Sequence, residues 1–483
     1  MSRAITIFGG GHFIMNIVLF VIDTLRADHL SCYGYFRETS PNIDKLADEG
    51  VLFQDHYAAG VPTGPGFTSI VTGMYPINHE FYITPWNIPN SYQMDDDILV
   101  LPEVLWESGY VTAAFDNLVN FRSRMKHFIR GYEYYINVTR SANYLHHHIW
   151  ADLVNQKLLP WIDEHKDDRF FLFVHYWDPH TPYNQPKEFQ EIFRHKKGDL
   201  SDLEVREAKA GYEYVPGWGK ADEIFEGRET RWGWPIPGER FADELSIEMY
   251  DGEIAYVDDR LGQVIEKLKE KDLYDDTLII VTSDHGENLG QHGMWEHGGV
   301  YEPVIYVPLI MVCPSVLPKE KRVEGFAQQV DISTTIFELA DVPLASVMER
   351  METYVKKTGN PAYSKNIRGF TDGVNLLDLM DGREIRDYII AETGNVRLIR
   401  GAEDKIEAKT LGIRTIREDE WKLIVYSNGR KELFNIEEDP MEIRNLADEK
   451  PEIVDRLNSS LNAWITSNLN GREDPILRNP ASY

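Results

Sequence analysis

The chain has 483 residues, 42% hydrophobic and 27% charged, the balance of a folded protein with room for one large α/β domain plus a smaller one, or three ordinary domains. A formal charge of −29 excludes nucleic-acid binding through a basic surface and disfavours anionic membranes, leaving a small substrate whose negative charge is met locally. Two cysteines, Cys32 and Cys313, make no disulfide framework and read as buried thiols, and no stretch reaches the length of a membrane span.

Residues 1–14 (MSRAITIFGGGHFI) read as an N-terminal appendage, with Met15 a second candidate start. The apolar run at 17–22 is too short for a signal-peptide core and leads straight into Asp23, so a cytoplasmic location is expected. In IVLFVIDTLRADHLSCYG (17–34) a buried strand ends abruptly at Asp23, and Arg26 with Asp28 is expected to fix the following loop as an ion pair. NIDKLADEGVLFQDHYA reads as helix then strand. In GVPTGPGFTSIVTGMYP (60–76), Gly and Pro hold Thr63 in a tight loop before a helix. A hydroxyl there sits among free backbone N–H groups that favour an anion, and a neighbouring metal would make it a usable nucleophile.

LPEVLWESGYVTAAF (101–115) repeats the helix–strand rhythm, and His146–His148 read as a surface run or partner contact, since adjacent helical residues point apart. FFLFVHYW (170–177) is another apolar strand. Periodicity fails between about 185 and 240, an irregular insertion or lid in which Trp218, Trp232 and Trp234 line a substrate mouth or pack the loop onto the body. Residues 245–270 place Ile254, Val257, Leu261, Val264, Ile265 and Leu268 at helical spacing, with Asp258 and Asp259 on a solvated face. That helix feeds LIIVTSDHGENLGQHG (278–293), a second strand that ends in carboxylate and imidazole, Asp284 and His285. YVPLIMV (306–312) is a further strand.

The alternation predicts an α/β catalytic domain over 15–345 with a large, mainly parallel sheet sandwiched by helices. Beyond it, DYIIAET, GIRTIRE, EWKLIVYS and KELFNIE predict a smaller C-terminal α+β subdomain over 346–483 with an antiparallel sheet. A last helix, about 451–467, puts Val454, Leu457, Leu461 and Trp464 on one face. Parallel strands bind ligands past their carboxyl ends. Asp23, Asp284 and His285 are therefore expected at one sheet edge, around a divalent cation.

These segments resemble the sulfatase family of the alkaline-phosphatase-like superfamily from Met15 onward. DTLRADHLSCYG is similar to its first metal-binding segment and PTGPGFTSIVTGMYP to its nucleophile signature. DPHTPY (178–183) is similar to the substrate-side histidine segment, and TSDHGENLGQHG to the second metal segment. YEPVIYVPLI, VDISTTIFELADVP and ELFNIEEDPMEIRNLA follow in the family's order. The resemblance implies an alkaline-phosphatase-like fold and hydrolysis of a sulfate or phosphate/phosphonate ester. It places Asp23, Thr63, Asp284 and His285 at the metal, and Asp178, Asn117 and His292 toward substrate. Thr63 becomes the nucleophile attacking sulfur or phosphorus in line, and His180 or His297 the acid for the leaving group.

The departures are specific. Family sulfatases carry Cys or Ser, oxidised to formylglycine, with Pro two residues and Arg four residues on; here stand Thr63, Pro65 and Phe67, so no formylglycine is expected. The Lys before the YE pair is replaced by His297, and a Lys segment reading GKWHLG appears as DNLVNF, with Asp116 and Asn117. Thr24 stands where calcium-type members have a second Asp, which weakens calcium against manganese or zinc. Asp178, His180 and His297 are candidates for a second ion, but their spacing favours one ion over two. A phospho- or sulfotransferase and a catalytically silent metal-binding homologue stay open. The expected partner is a small anionic ester, with no nucleic acid or membrane and with self-association open.

Overall fold

A computed structural model describes residues 15–82, 94, 98–118, 123–138, 150–181, 183–193, 242–289, 291–343, 349, 371–397 and 410–477. The apolar run after Met15 forms β1 (Asn16–Ile22), buried at every position. In chain order come α1 (Pro41–Glu49), β2 (Val51–Tyr57), the two-residue β3 (Gly60–Val61) and α2 (Thr63–Thr72). They are followed by α3 (Leu101–Glu107), β4 (Val111–Phe115), β5 (Tyr134–Ile136), α4 (Ala151–Glu164) and β6 (Phe170–Tyr176). The long α5 (Ala242–Glu270) leads into β7 (Thr277–Thr282), and a short ribbon joins β8 (Asn288–Leu289) to β9 (Trp295–Glu296). Then come β10 (Leu309–Val312), β11 (Lys321–Gln328) and α6 (Val330–Leu339).

Eight strands make one sheet in the order β11-β2-β10-β7-β1-β6-β4-β5. Only β10 runs against the rest, so the sheet is mainly parallel as expected. β1 lies between β7 and β6, parallel to both, with Val21 opposite His175 and opposite Thr282. The carboxyl ends of these three central strands therefore open onto one place. Strands with both faces covered need apolar side chains throughout, which is why β1, β6 and β7 are buried along their whole length.

The C-terminal sheet contains β12 (Tyr388–Arg397), β13 (Thr410–Glu418), β14 (Trp421–Tyr426) and β15 (Lys431–Asn435), antiparallel in sequence, and α7 (Pro451–Leu469) packs on it. Val454, Leu457, Leu461 and Trp464 of α7 are buried, as their spacing predicts. One strand was not expected there. β3, immediately before α2, pairs in parallel with β12, Val61 opposite Thr393, so the small sheet is mixed and takes an edge from the large domain.

Asp258 corrects the solvated-face expectation. It is 1% exposed, and its carboxylate accepts the backbone N–H groups of Asn42 and Ile43 at the start of α1. Those N–H groups have no partner within their own helix, and a buried acid from α5 supplies one. Asp259 does face solvent, paired with Arg260. The Arg26–Asp28 pair forms at 2.6 Å. Cys313 is buried and Cys32 partly so, and burial raises both thiols. His146–His148, Trp218, Trp232 and Trp234, residues 1–14 and most of the 185–240 insertion lie outside the described residues. Among the described residues no helix is long and apolar enough to cross a membrane.

Candidate active site

Asp23 follows β1 and Asp284 follows β7 by one residue, so parallel neighbours deliver both acids to the same edge. Ligand atoms of Asp23, Asp284 and His285 lie within 4.8 Å of one another, and all three residues are fully buried. The turn after Asp23 is fastened to this segment. Thr24 N–H donates to Asp284 Oδ1 at 3.2 Å and Leu25 N–H to Ser283 Oγ at 3.0 Å. Thr24 has φ +59°, a left-handed conformation that costs a β-branched residue about 1–3 kcal/mol. The Tyr250 hydroxyl holds it, donating to Thr24 O and accepting from Arg26 N–H.

Both oxygens of Asp23 and Oδ2 of Asp284 are buried with no hydrogen-bond donor. Burial raises the Asp23 carboxyl above its ordinary value, and burial together with Asp23 raises Asp284 well above it. Orphaned acids of this kind are costly unless a cation compensates them, so the donor set fits a divalent ion. His285 could serve the same ion. Its Nδ1–H donates to Gly286 O at 2.8 Å, which leaves the Nε2 lone pair facing Asp284 Oδ2 at 3.3 Å. Burial, then His297, keeps this imidazole neutral, with its pKa well below the ordinary value.

Thr63 is the first residue of α2 and 6% exposed, and its hydroxyl lies 3.2 Å from His285 Nε2. The close fit of α2 needs glycine. A Cβ on Gly66 would sit 2.5 Å from the Asp284 carbonyl oxygen. Gln329 ties the same pieces together from behind. Its amide donates to the carbonyls of Ser283 and Asp284, each at 2.7 Å, and accepts Ala59 N–H at 3.0 Å.

The structure joins some of the remaining candidates to this cluster and sends others elsewhere. His297 lies against His285 (ring centroids 4.6 Å) and against His180 (5.1 Å), so the two candidate acids adjoin each other and the cluster. Asp178 points away. It accepts Ala151 N–H at 2.8 Å at the start of α4 and faces Glu253, and burial raises it to about 6. Asn117 accepts from the Trp177 indole N–H. His292 stacks on Tyr301 at 3.8 Å, and burial pushes it down to about 3.

Sequence reasoning gave no role to His175, to its partner Asp116, or to Gln329. His175 carries the one signal, a histidine inside the apolar strand β6 two residues before Trp177. Burial pushes its imidazole down, but the hydrogen bond to Asp116 and the carboxylate of Asp23 nearby win and lift it to about 9.

The family model described as sulfatase matches residues 15–342. Choline-sulfatase of Rhizobium meliloti (strain 1021) is 23% identical over 480 residues, covering 91% of this chain and 84% of that protein. Arylsulfatase of Clostridium perfringens (strain 13 / Type A) is 25% identical over 510 residues, covering 95% of each. Among solved structures, phosphonate monoester hydrolase of Agrobacterium radiobacter shares the fold with a TM-score of 0.66 at 22% identity, over 96% of this chain and 97% of that one.

Proposed function

We propose, because the chain belongs to the sulfatase family and is one of its ester hydrolases, that it hydrolyses small anionic esters of sulfate, phosphate or phosphonate with Thr63 as nucleophile. The observation that carries this reading is the Thr63 hydroxyl at the head of α2, 3.2 Å from His285 Nε2 and beside two orphaned acids. Asp23, Asp284 and His285, with the Thr63 oxygen, would hold one divalent cation, manganese or zinc ahead of calcium. When bound, such an ion neutralises non-bridging ester oxygens and lowers the pKa of the hydroxyl. Thr63 Oγ gives its proton to solvent and bonds to sulfur or phosphorus as the bond to the ester oxygen breaks on the opposite side. His180 or His297, which adjoin each other, gives that oxygen its proton. Water then attacks the threonyl ester in line and restores the hydroxyl.

The threonine favours phosphorus. A formylglycine hydrate can expel sulfate by collapsing to its aldehyde, whereas a threonine ester leaves only by attack of water on the central atom. The test is a panel of aryl sulfate, phosphate monoester, phosphate diester and phosphonate monoester with one leaving group, assayed with calcium, magnesium, manganese and zinc. Thr63→Ala is expected to lose turnover by at least about a thousandfold on the preferred ester. Undiminished turnover in that variant would remove Thr63 from the chemistry. A preference for sulfate by orders of magnitude would overturn the phosphorus assignment.

A further inference from the structure

His175 and Asp116 are buried at the site, and the chemistry above uses neither. His175 is 1% exposed, and its Nδ1–H donates to Asp116 Oδ1 at 2.7 Å. Asp116 is held in turn. The Tyr135 hydroxyl donates to its Oδ2, and the Leu118 N–H reaches both oxygens at 3.0 Å. Phe67, one turn into α2, meets the imidazole edge-on with ring centroids 4.6 Å apart. Three elements (β6, the loop after β4, and α2) therefore fix one ring. The atom left over is Nε2, which has no hydrogen-bond partner and is aimed at Asp23 Oδ2 from 3.6 Å.

A histidine that merely filled the core would have no reason to spend its free nitrogen on an acid that is itself unsatisfied. Burying a second carboxylate, Asp116, to orient it adds a further desolvation cost. The expense is explained if the ring's direction matters. Groups behind a metal ligand commonly hold it in the orientation the ion needs.

We propose that the Asp116–His175 pair is a positioning device for Asp23, holding that carboxylate where it meets a divalent cation together with Asp284 and His285. The inference rests on the reading of Asp23 as a cation ligand. Phe67 belongs to the same unit: where the family resemblance expects an arginine, this chain places an aromatic ring that keeps the imidazole turned toward Asp23.

The test is calorimetric titration of metal-stripped full-length protein with Mn2+ alone, comparing the unaltered chain with His175→Asn, His175→Gln and Tyr135→Phe. An asparagine amide reaches where Nδ1 sits and keeps the Asp116 contact; a glutamine amide reaches where Nε2 sits and keeps the Asp23 contact. His175→Asn should weaken Mn2+ binding by about 10- to 100-fold, and His175→Gln should recover most of that loss. Tyr135→Phe, which removes one of the two donors to Asp116 Oδ2 and lies at a partly exposed position, should weaken binding by a smaller factor, and it decides the matter if neither His175 variant folds. Unaltered Mn2+ affinity in His175→Asn, or equal losses in Asn and Gln, would reduce His175 to a structural residue, as would unaltered affinity in Tyr135→Phe. Failure of the unaltered chain to bind Mn2+, Zn2+ or Ca2+ would instead sink the cation reading itself.

Discussion

Replacing Gln329 by methionine keeps the side chain's length and removes all three of its hydrogen bonds. The carbonyls of Ser283 and Asp284 and the N–H of Ala59 would be left buried and unpaired. A buried group so orphaned costs about 1–3 kcal/mol, and partial relaxation of three neighbours brings the expected total to about 3–5 kcal/mol. For a chain of this size the unfolding entropy is roughly 1 kcal/mol per kelvin, so the melting temperature should fall by about 3–5 °C. Activity should fall further than stability implies. Gln329 is the link between the Asp284 segment and the strand that leads to Thr63, and misplacement on the order of 1 Å can cost about 100-fold in rate. Calorimetric melts and kcat at saturating cation, measured on the same preparations, separate the two effects. Gln329→Glu is the control, because a carboxylate cannot donate to either carbonyl and should be at least as damaging. A methionine variant that melts within a degree of the original and turns over at its rate would refute this account of how the site is held together.

Gly66→Ala should cut turnover at least about tenfold with only a modest loss of stability, because its Cβ would sit 2.5 Å from the Asp284 carbonyl oxygen and push the head of α2 off the site. Normal kcat in that variant would show that the contact yields elsewhere. Stripping divalent ions should lower the melting temperature, and restoring one at a hundred times its dissociation constant should return about 2.7 kcal/mol. Melts indifferent to every divalent ion would remove the cation from Asp23 and Asp284. His56 gives a pH dependence of its own. Burial pushes its folded pKa down to about 3, while its Nδ1–H donates to Val307 O at 3.2 Å. A depressed value means stability that is present above about pH 6.5 and is lost as pH falls toward 3, about 2 kcal/mol of it between pH 6.5 and 5. His56→Asn, whose amide can still donate, should show a shallower decline in denaturant titrations over that range, and an identical slope would contradict the assignment.

Much of the fold was legible because buried parallel strands carry their own signature. β1, β6 and β7 read as unbroken apolar runs, and the acids at two of their ends meet where the register places them. The helix–strand rhythm located α1, β2, α3 and β4, and spacing alone found the buried face of α7. What sequence hid was long-range pairing of polar groups. Nothing local distinguishes Asp258 from Asp259, yet one caps a helix more than two hundred residues away and the other faces water. Asp116 and His175 are 59 residues apart and belong together only because β4 and β6 are neighbours. Asp178 sits two residues from His180 in sequence, yet its carboxylate accepts the Ala151 N–H at the start of α4. Gln329 carried no signal, since its partners are backbone atoms.

The two residues of β3 carry a consequence for anyone cutting this protein. Gly60–Val61 is hydrogen-bonded to Glu392 and Thr393, and Val61, Tyr57 and Ala58 share an apolar cluster with Ile389, Ile413 and Ile424. A truncation after residue 345 would thus leave the approach to Thr63 as a bare edge with its greasy cover stripped away. The tail works as scaffolding for the head of α2, and a fragment meant to keep the candidate site in place should include it.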